Sequence, residues 1–162
     1  MAVLSFSKSK YVNPGELASF SAMLKKTIAK IQNVLNISPS NKSRGPVVIE
    51  AWPLVYHITC GEYLLYTSPS LQLTIEFWIG LDLVEDGIAL VVWFDKPKPA
   101  VINHLFALRN KGFCGEFGRY QRGKIDQAWI SLNDASFAQF LSNPAQEPPI
   151  IEDFLREVLN GL

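Results

Sequence analysis

The segment from Leu71 to Phe94 constrains the fold more than any other part of the chain. Its sequence, LQLTIEFWIGLDLVEDGIALVVWF, places two apolar runs on either side of an Asp86-Gly87 pair. Asp-Gly between two apolar runs favours a two-residue hairpin turn, because such a turn needs positive φ at both central residues. The segment therefore predicts an antiparallel β-hairpin with Asp86 and Gly87 at its tip.

The register set by this turn divides the side chains of the hairpin between two faces. The predicted cross-strand pairs on the first face are Leu83 with Leu90, Leu81 with Val92, and Ile79 with Phe94. Because side chains alternate along a strand, Leu71, Leu73, Ile75 and Phe77 join this face. The second face receives Gln72, Thr74, Glu76, Trp78, Asp82, Val91 and Trp93, with Gly80 opposite Trp93. We expect the first face to be core and the second to be half polar.

The composition is typical of one globular domain over residues 1–162. Hydrophobic residues make up 48% of the chain, and 15 basic residues balance 15 acidic ones. Zero net charge gives no global argument for nucleic acid or an anionic membrane, and no apolar run reaches the roughly 18 residues of a membrane span. Residues 2–6 are too few for the core of a signal peptide, and two cysteines make no disulfide framework. We expect a soluble cytoplasmic protein.

Apolar spacing predicts one helix and three strands before this hairpin. The helix runs from Pro14 to about Asn36, with Asn13 as its cap. Residues 38–45, SPSNKSRG, are typical of a loop. The predicted strands are Val47–Trp52, Leu54–Thr59 and Tyr63–Tyr66, the last two meeting around Gly61-Glu62. Pro53 leaves residues 53–60 open between strand and helix, and Met1–Tyr11 is a short strand or a loose arm.

A second hairpin and three helices are predicted after it. A short helix over residues 101–108 precedes a hairpin over Phe113–Leu132 that turns at Arg122-Gly123. This register places Arg119 opposite Asp126 as an ion pair and turns Trp129 to the outer face. The residues that it places on the buried face are Phe113, Phe117, Ala128, Ile130 and Leu132. Asn133 caps a helix that ends at Asn143-Pro144, and Ile151, Phe154, Leu155, Val158, Leu159 and Leu162 form the inner stripe of a final helix.

The resulting order, α-βββ-α-ββ-αα, predicts an α+β fold. Tight turns between neighbouring strands indicate an antiparallel sheet of about five to six strands, with the helices packed on one side. We expect a single domain, because a helix separated at the 38–45 loop would have no core.

No arrangement of residues specifies a catalytic or metal site. His57, Cys60, His104 and Cys114 could make a zinc set, but their spacing differs from that of compact zinc modules. Cys114 would need His104 as a base to act as a nucleophile. Four further acids lie on or beside strands: Glu50, Glu76, Asp82 and Asp95. Glu76 and Asp82 would lie about 20 Å apart along one strand. That distance is too long for the two carboxylates to bind one metal ion or to act as an acid–base pair. We expect no metal, no cofactor and no enzymatic activity.

Basic residues concentrate around the second hairpin: Arg109, Lys111, Arg119, Arg122 and Lys124. Basic residues interleaved with aromatic ones are typical of nucleic-acid-binding surfaces. The sequence therefore offers a nucleic-acid-binding or nuclease-associated module as one hypothesis.

Tryptophans on the half-polar hairpin face offer the other hypothesis. Trp78, Trp93 and Glu76 share that face, and Trp129 could join them. Tryptophan is enriched at protein-binding surfaces, although a helix of the same chain could equally cover these rings. We predict a protein-binding module whose partner is another protein or a second copy of the chain.

Residues 102–141, INHLFALRNKGFCGEFGRYQRGKIDQAWISLNDASFAQFL, resemble the helix–hairpin–helix core of class I type III secretion chaperones. The element order α-βββ-α-ββ-α is similar to theirs, so the resemblance is one of topology. It implies a small cytoplasmic, bacterial, dimeric protein that binds an extended effector segment. Small bacterial immunity proteins are a second class of similar size without catalytic residues.

Overall fold

An antiparallel sheet with helices against one face organises the chain. The computed structural model describes residues 14–42, 48–52, 55–84 and 87–162. The α-helices are α1 (Pro14–Leu35), α2 (Pro99–Leu108), α3 (Asp134–Ser142) and α4 (Glu147–Leu159). The strands are β1 (Ile37–Pro39), β2 (Val48–Trp52), β3 (Val55–Ser68), β4 (Leu73–Val84), β5 (Gly87–Asp95), β6 (Cys114–Arg122) and β7 (Ile125–Leu132). The predicted α+β class is confirmed.

Strand order departs from chain order at one end of the sheet. Six strands follow the order β1-β3-β4-β5-β7-β6, and β2 pairs with β3 off this path. All pairings are antiparallel. The second hairpin joins the sheet through its second strand, β7, which pairs with β5. The connection through α2 therefore passes the position that β7 occupies. The first strand of that hairpin, β6, is left at the edge.

The central hairpin has the predicted faces but not the predicted register. Val84 lies opposite Gly87, Leu81 opposite Leu90, and Trp78 opposite Trp93. The expected pairs, such as Leu81 with Val92 and Gly80 with Trp93, are wrong by two residues. Gly87 belongs to β5, and residues 85–86 lie outside the described part. An offset of two leaves every side chain on its face, because the side-chain period along a strand is two.

The core forms between the first sheet face and the helices. The sheet contributes fully or nearly fully buried side chains: Phe77, Ile79, Leu81, Leu90, Val92, Phe94, Ala128, Ile130 and Leu132. Helix α1 contributes Phe20, Leu24, Ile28, Ile31 and Leu35, as its spacing predicts. Helix α4 contributes the expected stripe from Ile151 to Leu159, and Leu162 follows it. Each fully buried Leu, Ile or Phe side chain contributes about 1.5–3 kcal/mol.

Two local predictions before the central hairpin are wrong. Residues 37–39, within and beside the predicted loop, form β1, and Ile37 pairs with Tyr66. Strand β3 runs without a turn through Gly61-Glu62, so residues 55–60 are strand. Met1–Tyr11, Asn13, Pro53 and residues 43–47 lie outside the described residues.

The second hairpin turns one residue later than predicted. Arg122 lies opposite Ile125, so Gly123 and Lys124 form the turn, and Gly123 has a φ of 60°. Because of this later turn, Phe117 faces Ile130, where the predicted register has Ala128. A β-bulge between Cys114 and Phe117 then places Cys114 opposite Leu132, where the prediction has Phe113. The Arg119–Asp126 ion pair is confirmed, at 3.3 Å between Nε and Oδ1. The two residues are diagonal neighbours, because Arg119 lies directly opposite Ala128.

The predicted start of α3 is confirmed. Asn133 Oδ1 accepts a hydrogen bond of 2.8 Å from the Ser136 backbone N–H, which satisfies a donor of the first turn. None of the helices in the described ranges is long and apolar enough to cross a membrane.

Candidate functional site

Four aromatic residues form a continuous row across the second face of the sheet. Tyr63 pairs with Trp78, Trp78 with Trp93, and Trp93 with Trp129, on β3, β4, β5 and β7 respectively. Directly paired residues project from the same face of a sheet. The ring centroids of Trp93 and Trp129 are 6.0 Å apart, with an angle of 41° between the planes. We call Tyr63, Trp78, Trp93 and Trp129 the aromatic row.

Glycines in the strands hold the tryptophan rings close to the sheet. A Cβ atom at Gly61 or at Gly80 would overlap the Trp78 indole, and one at Gly118 would overlap the Trp129 indole. The Trp78 and Trp129 indoles therefore lie close against the strand backbone. Glycine inside a strand is a sequence signal for such close approach, and the sequence interpretation of Gly61 as a turn missed it.

The helices lie on the other side of the sheet from the row. Buried residues of all four helices belong to one cluster with Phe77 and Ile79, and that cluster does not include Trp78. Trp78 is nevertheless only 8% exposed, while Tyr63, Trp93 and Trp129 are half-buried. Among the described side chains, therefore, no helix packs on the tryptophans.

The indole N–H of Trp93 is a buried donor without an acceptor. Its Nε1 atom has no hydrogen-bond partner in the described part of the chain. Leaving a buried donor unpaired costs about 1–3 kcal/mol. The centre of the row therefore carries an unmet hydrogen-bonding requirement.

A polar cluster borders the row at Glu76. The Glu76 carboxylate accepts one hydrogen bond of 2.7 Å from Ser40 Oγ and pairs with Lys42 Nζ at 2.7 Å. Hydrogen bonds from Lys42 and then Ser40 hold the pKa of Glu76 below its ordinary value. Glu76 precedes Trp78 by two residues, so the two side chains share a face. The structure thus brings Glu76, Trp78, Trp93 and Trp129 onto one surface.

The five basic residues near the second hairpin are all exposed. The Arg109 guanidinium lies 3.6 Å from the ring centroid of Phe106, and Arg119 pairs with Asp126. Among the described residues, no carboxylate pairs with the other three: Lys111, Arg122 and Lys124. Phe106 is 52% exposed and Tyr120 is 44% exposed.

Cys114 and His104 have separate partners and do not form a nucleophile–base pair. His104 Nε2 lies 2.7 Å from the carbonyl oxygen of Val158, and Cys114 Sγ donates to Glu157 Oε2 at 3.7 Å. Burial, with the Glu157 carboxylate adding to it, raises the pKa of the Cys114 thiol to about 12. Thiolate chemistry at neutral pH is disfavoured at this position.

The candidate zinc set and the four strand acids lie only partly among the described side chains. No three His, Cys, Asp or Glu residues there are arranged to hold a metal ion. Cys60 and Cys114 are buried in β3 and β6. The side chains of His57 and Glu50 lie outside the described ones. Asp82 is 9% exposed and lies on the face of the row, while Asp95 is exposed.

A cleft between α1 and β3 has no counterpart in the sequence predictions. It encloses about 350 Å³ and is bordered by the Lys25–Glu62 ion pair, whose Nζ and Oε1 atoms are 3.7 Å apart. Polar side chains of Gln32, Ser40 and Lys42 line it. The cleft depends on how α1 packs on the sheet, so no local sequence signal could have revealed it.

Comparisons with known proteins identify no relative. No protein-family model matches the chain, and no curated protein and no solved structure matches it either. The candidate surfaces are therefore judged by their geometry alone, and the resemblance to secretion chaperones stays a prediction.

Proposed function

We propose that this chain is a non-enzymatic protein-binding module that presents the aromatic row to a protein partner. The observation that carries the proposal is the position of the row. Four aromatic residues lie side by side on the sheet face opposite the helices. Tryptophan and tyrosine are enriched among the residues that dominate binding energy at protein interfaces.

The unpaired indole of Trp93 supports this proposal. An oxygen acceptor supplied by a partner at the Trp93–Trp129 pair would remove the cost of the buried N–H. Such an acceptor reaches Nε1 only when neighbouring groups move aside, since the atom itself is buried.

The polar cluster around Glu76 supports it as well. Interfaces commonly have an apolar centre and a polar rim that stays accessible to solvent. Ser40, Lys42 and Glu76 provide such a rim beside Trp78. Lys42 also lies 6.0 Å from the ring centroid of Tyr63, which links the rim to the row.

The proposed class is a cytoplasmic chaperone-like or immunity-like protein. Its partner is a different protein or, in a homodimer, a second copy of the chain. A row of four aromatic residues across four strands spans about 14 Å, at about 4.8 Å between neighbouring strands. That width suits the centre of a standard protein interface.

Affinity capture and light scattering test the proposal. A Trp93→Ala/Trp129→Ala variant should lose a protein identified by mass spectrometry, or dissociate to a monomer. A Val34→Ala variant, which removes a 60% exposed apolar residue from α1, should keep the partner. Circular dichroism checks that both variants fold. A strictly monomeric wild-type chain that retains no protein from its host would contradict the proposal.

The alternative of nucleic-acid binding at the basic hairpin has less support. Arg109 and Arg119 already contact Phe106 and Asp126, which leaves fewer free cations for phosphates. A gel shift that weakens with salt and disappears in an Arg119→Ala/Arg122→Ala variant would favour nucleic acid instead.

A further inference from the structure

Within the described ranges, the outer edge of β6 is an unpaired strand edge, and basic residues surround it. β6 ends the strand order, and β7 is the one described strand that pairs with it. Asn110 donates to the Gly115 carbonyl near the start of the strand. From Phe117 to Arg122, no described residue pairs with the outer edge. In an antiparallel ladder every second residue directs its N–H and C=O outward, so about three residues of this segment offer both groups.

The charge around this edge is strongly asymmetric for a neutral chain. Between Arg109 and Asp126 there are five basic residues and two acidic ones, a net charge of +3. The formal net charge of the whole chain is zero, so the remaining residues carry −3. This polarity favours an acidic partner at the second hairpin.

Cations flank the edge on both faces of the sheet. Gly118 faces Trp129, so Tyr120 and Arg122 project from the face of the aromatic row. Phe117 faces the buried Ile130, so Arg119 projects from the helix side. A strand placed beside β6 would therefore meet Arg122 on the face of the row and, on the helix side, Arg119, which already pairs with Asp126.

The same charges disfavour pairing of β6 with a second copy of itself. Charged side chains on an edge strand protect natural sheets against edge-to-edge association. Two copies would bring Arg119 and Arg122 of each chain together, whereas an acidic strand would neutralise them. The occupant that fits this edge is thus a different, acidic segment.

The aromatic side chains favour a peptide over a nucleic acid. Base stacking needs rings with open faces. The Arg109 guanidinium covers one face of the exposed Phe106 ring at 3.6 Å, and that ring also meets Phe117 edge-on, with centroids 5.8 Å apart. These two contacts make Phe106 less available for stacking although it is 52% exposed, whereas the main-chain groups of an edge suit strand addition.

We propose that the outer edge of β6, from Phe117 to Arg122, accepts an extended acidic segment of a partner protein as an added β-strand. The inference rests on the proposed function only in that the partner is a protein. Six residues of strand span about 20 Å, so the bound segment has a core of about six residues. Its side chains on one face would lie next to Tyr120 and continue the surface of the aromatic row.

Amide hydrogen exchange of the full chain, followed by NMR, tests this inference. The probe is an acetylated, amidated eight-residue peptide of alternating Glu and Val, and its control has Lys in place of Glu. At a concentration of about ten times its Kd, the Glu peptide should slow exchange of outward amides in Phe117–Arg122 by about tenfold. The Lys peptide should leave them unchanged.

Charge-reversal variants separate this site from unspecific attraction. Arg119→Glu/Arg122→Glu should weaken Glu-peptide binding by about threefold or more. Lys26→Glu/Lys30→Glu changes the net charge equally on the exposed side of α1 and should bind as the wild type does. Equal binding by both variants would overturn the inference.

Two further outcomes would also overturn it. Glu-peptide binding without slower exchange in β6 would show that no strand is added. Tighter binding of a ten-residue oligothymidylate, perturbing the same residues, would assign the surface to nucleic acid. If either occurs while Trp93→Ala/Trp129→Ala still loses the partner, the proposed function stands without this inference.

Discussion

The indole of Trp78 lies over Gly80, two residues further along the same strand, so closely that a Cβ atom at Gly80 would come within 2.7 Å of Trp78 Cη2. The same Cβ would also overlap the backbone of Cys60 and Gly61 on the neighbouring strand. Gly80 thus fixes both the spacing of β3 and β4 and the position of one ring of the aromatic row.

Substituting Gly80 should therefore destabilise the fold and disturb the row. We expect Gly80→Ala to lower the free energy of unfolding by about 1–3 kcal/mol, because neither strand backbone can move away without losing ladder hydrogen bonds. Urea unfolding measures the loss, and tryptophan emission should shift. Gly123→Ala is the matched control, because a Cβ there meets no other atom. Its only cost is the positive φ of 60°, which should lower the free energy of unfolding by about 1 kcal/mol. An unchanged emission spectrum in Gly80→Ala would contradict the packing.

Both thiols should be unreactive in the folded protein. Burial raises the pKa of Cys60 to about 11 and, together with Glu157, that of Cys114 to about 12. At pH 8 both groups stay protonated and inaccessible, so a disulfide reagent such as Ellman's reagent should label neither. Guanidinium unfolding should expose two reactive thiols. Rapid labelling of one thiol in the native protein would show that its strand opens locally.

Stability should fall as the pH rises because of Glu147. This residue is 1% exposed, its Oε1 atom has no partner in the described part of the chain, and burial raises the pKa of its carboxyl group. A carboxyl whose folded pKa exceeds its unfolded pKa stabilises the fold fully below the unfolded value and progressively less as pH rises through the folded value. Unfolding free energy should therefore decrease from about pH 4.5 upward at this site.

Glu147→Gln should remove that dependence and stabilise the protein at pH 7 by about 1 kcal/mol. Denaturant unfolding at several pH values measures both effects. Glu152→Gln provides the control on the same helix, since its ion pair with Arg156 contributes only about 0.3–0.5 kcal/mol. A flat pH profile in the wild type would mean that Glu147 finds a partner in solution.

The carboxyl group of Glu76 should titrate below its ordinary range. Lys42 contributes most to this lowering, and Ser40 follows. We expect Lys42→Met to raise the pKa of Glu76 more than Ser40→Ala does, as followed by carboxyl carbon chemical shifts. Because the folded pKa is lowered, the stability that this cluster contributes is present above the unfolded value and is lost as pH falls through the folded one. The reverse order of the two variants would contradict the assignment.

In the central hairpin, the face of each residue could be predicted from the sequence, but the strand register could not. Alternation assigns Ile79 and Trp78 to opposite faces whatever the turn, since faces repeat every two residues. The Asp-Gly pair predicts a hairpin tip one residue too far along the chain, so every predicted cross-strand partner is wrong by two residues. The alternation of side chains between faces cannot reveal an error of two residues. The pairing of Trp78 with Trp93 therefore needed the structure.

The aromatic row was predictable in part. The expectation that Trp78 and Glu76 share a face follows from period two, and that of Trp93 also needs the predicted hairpin pairing; the sequence offered Trp129 only as a possible member. Its position next to Trp93 could not be predicted, because it depends on β7 rather than β6 joining β5. Packing between distant segments determines which strand joins β5. It also determines the contact of His104 with Val158 and the burial of Glu147.

From the long separation along the chain, we expect the pairing of β5 with β7 to form late during folding. β3, β4 and β5 follow one another closely and can pair as soon as they meet. The free edge of β5, with Val91, Val92 and Trp93, stays uncovered until a segment about 30 residues later along the chain returns to it. Closing so long a loop is slow compared with forming a hairpin. During that interval an apolar strand edge is open to other unfinished chains, and this is where misassembly should begin.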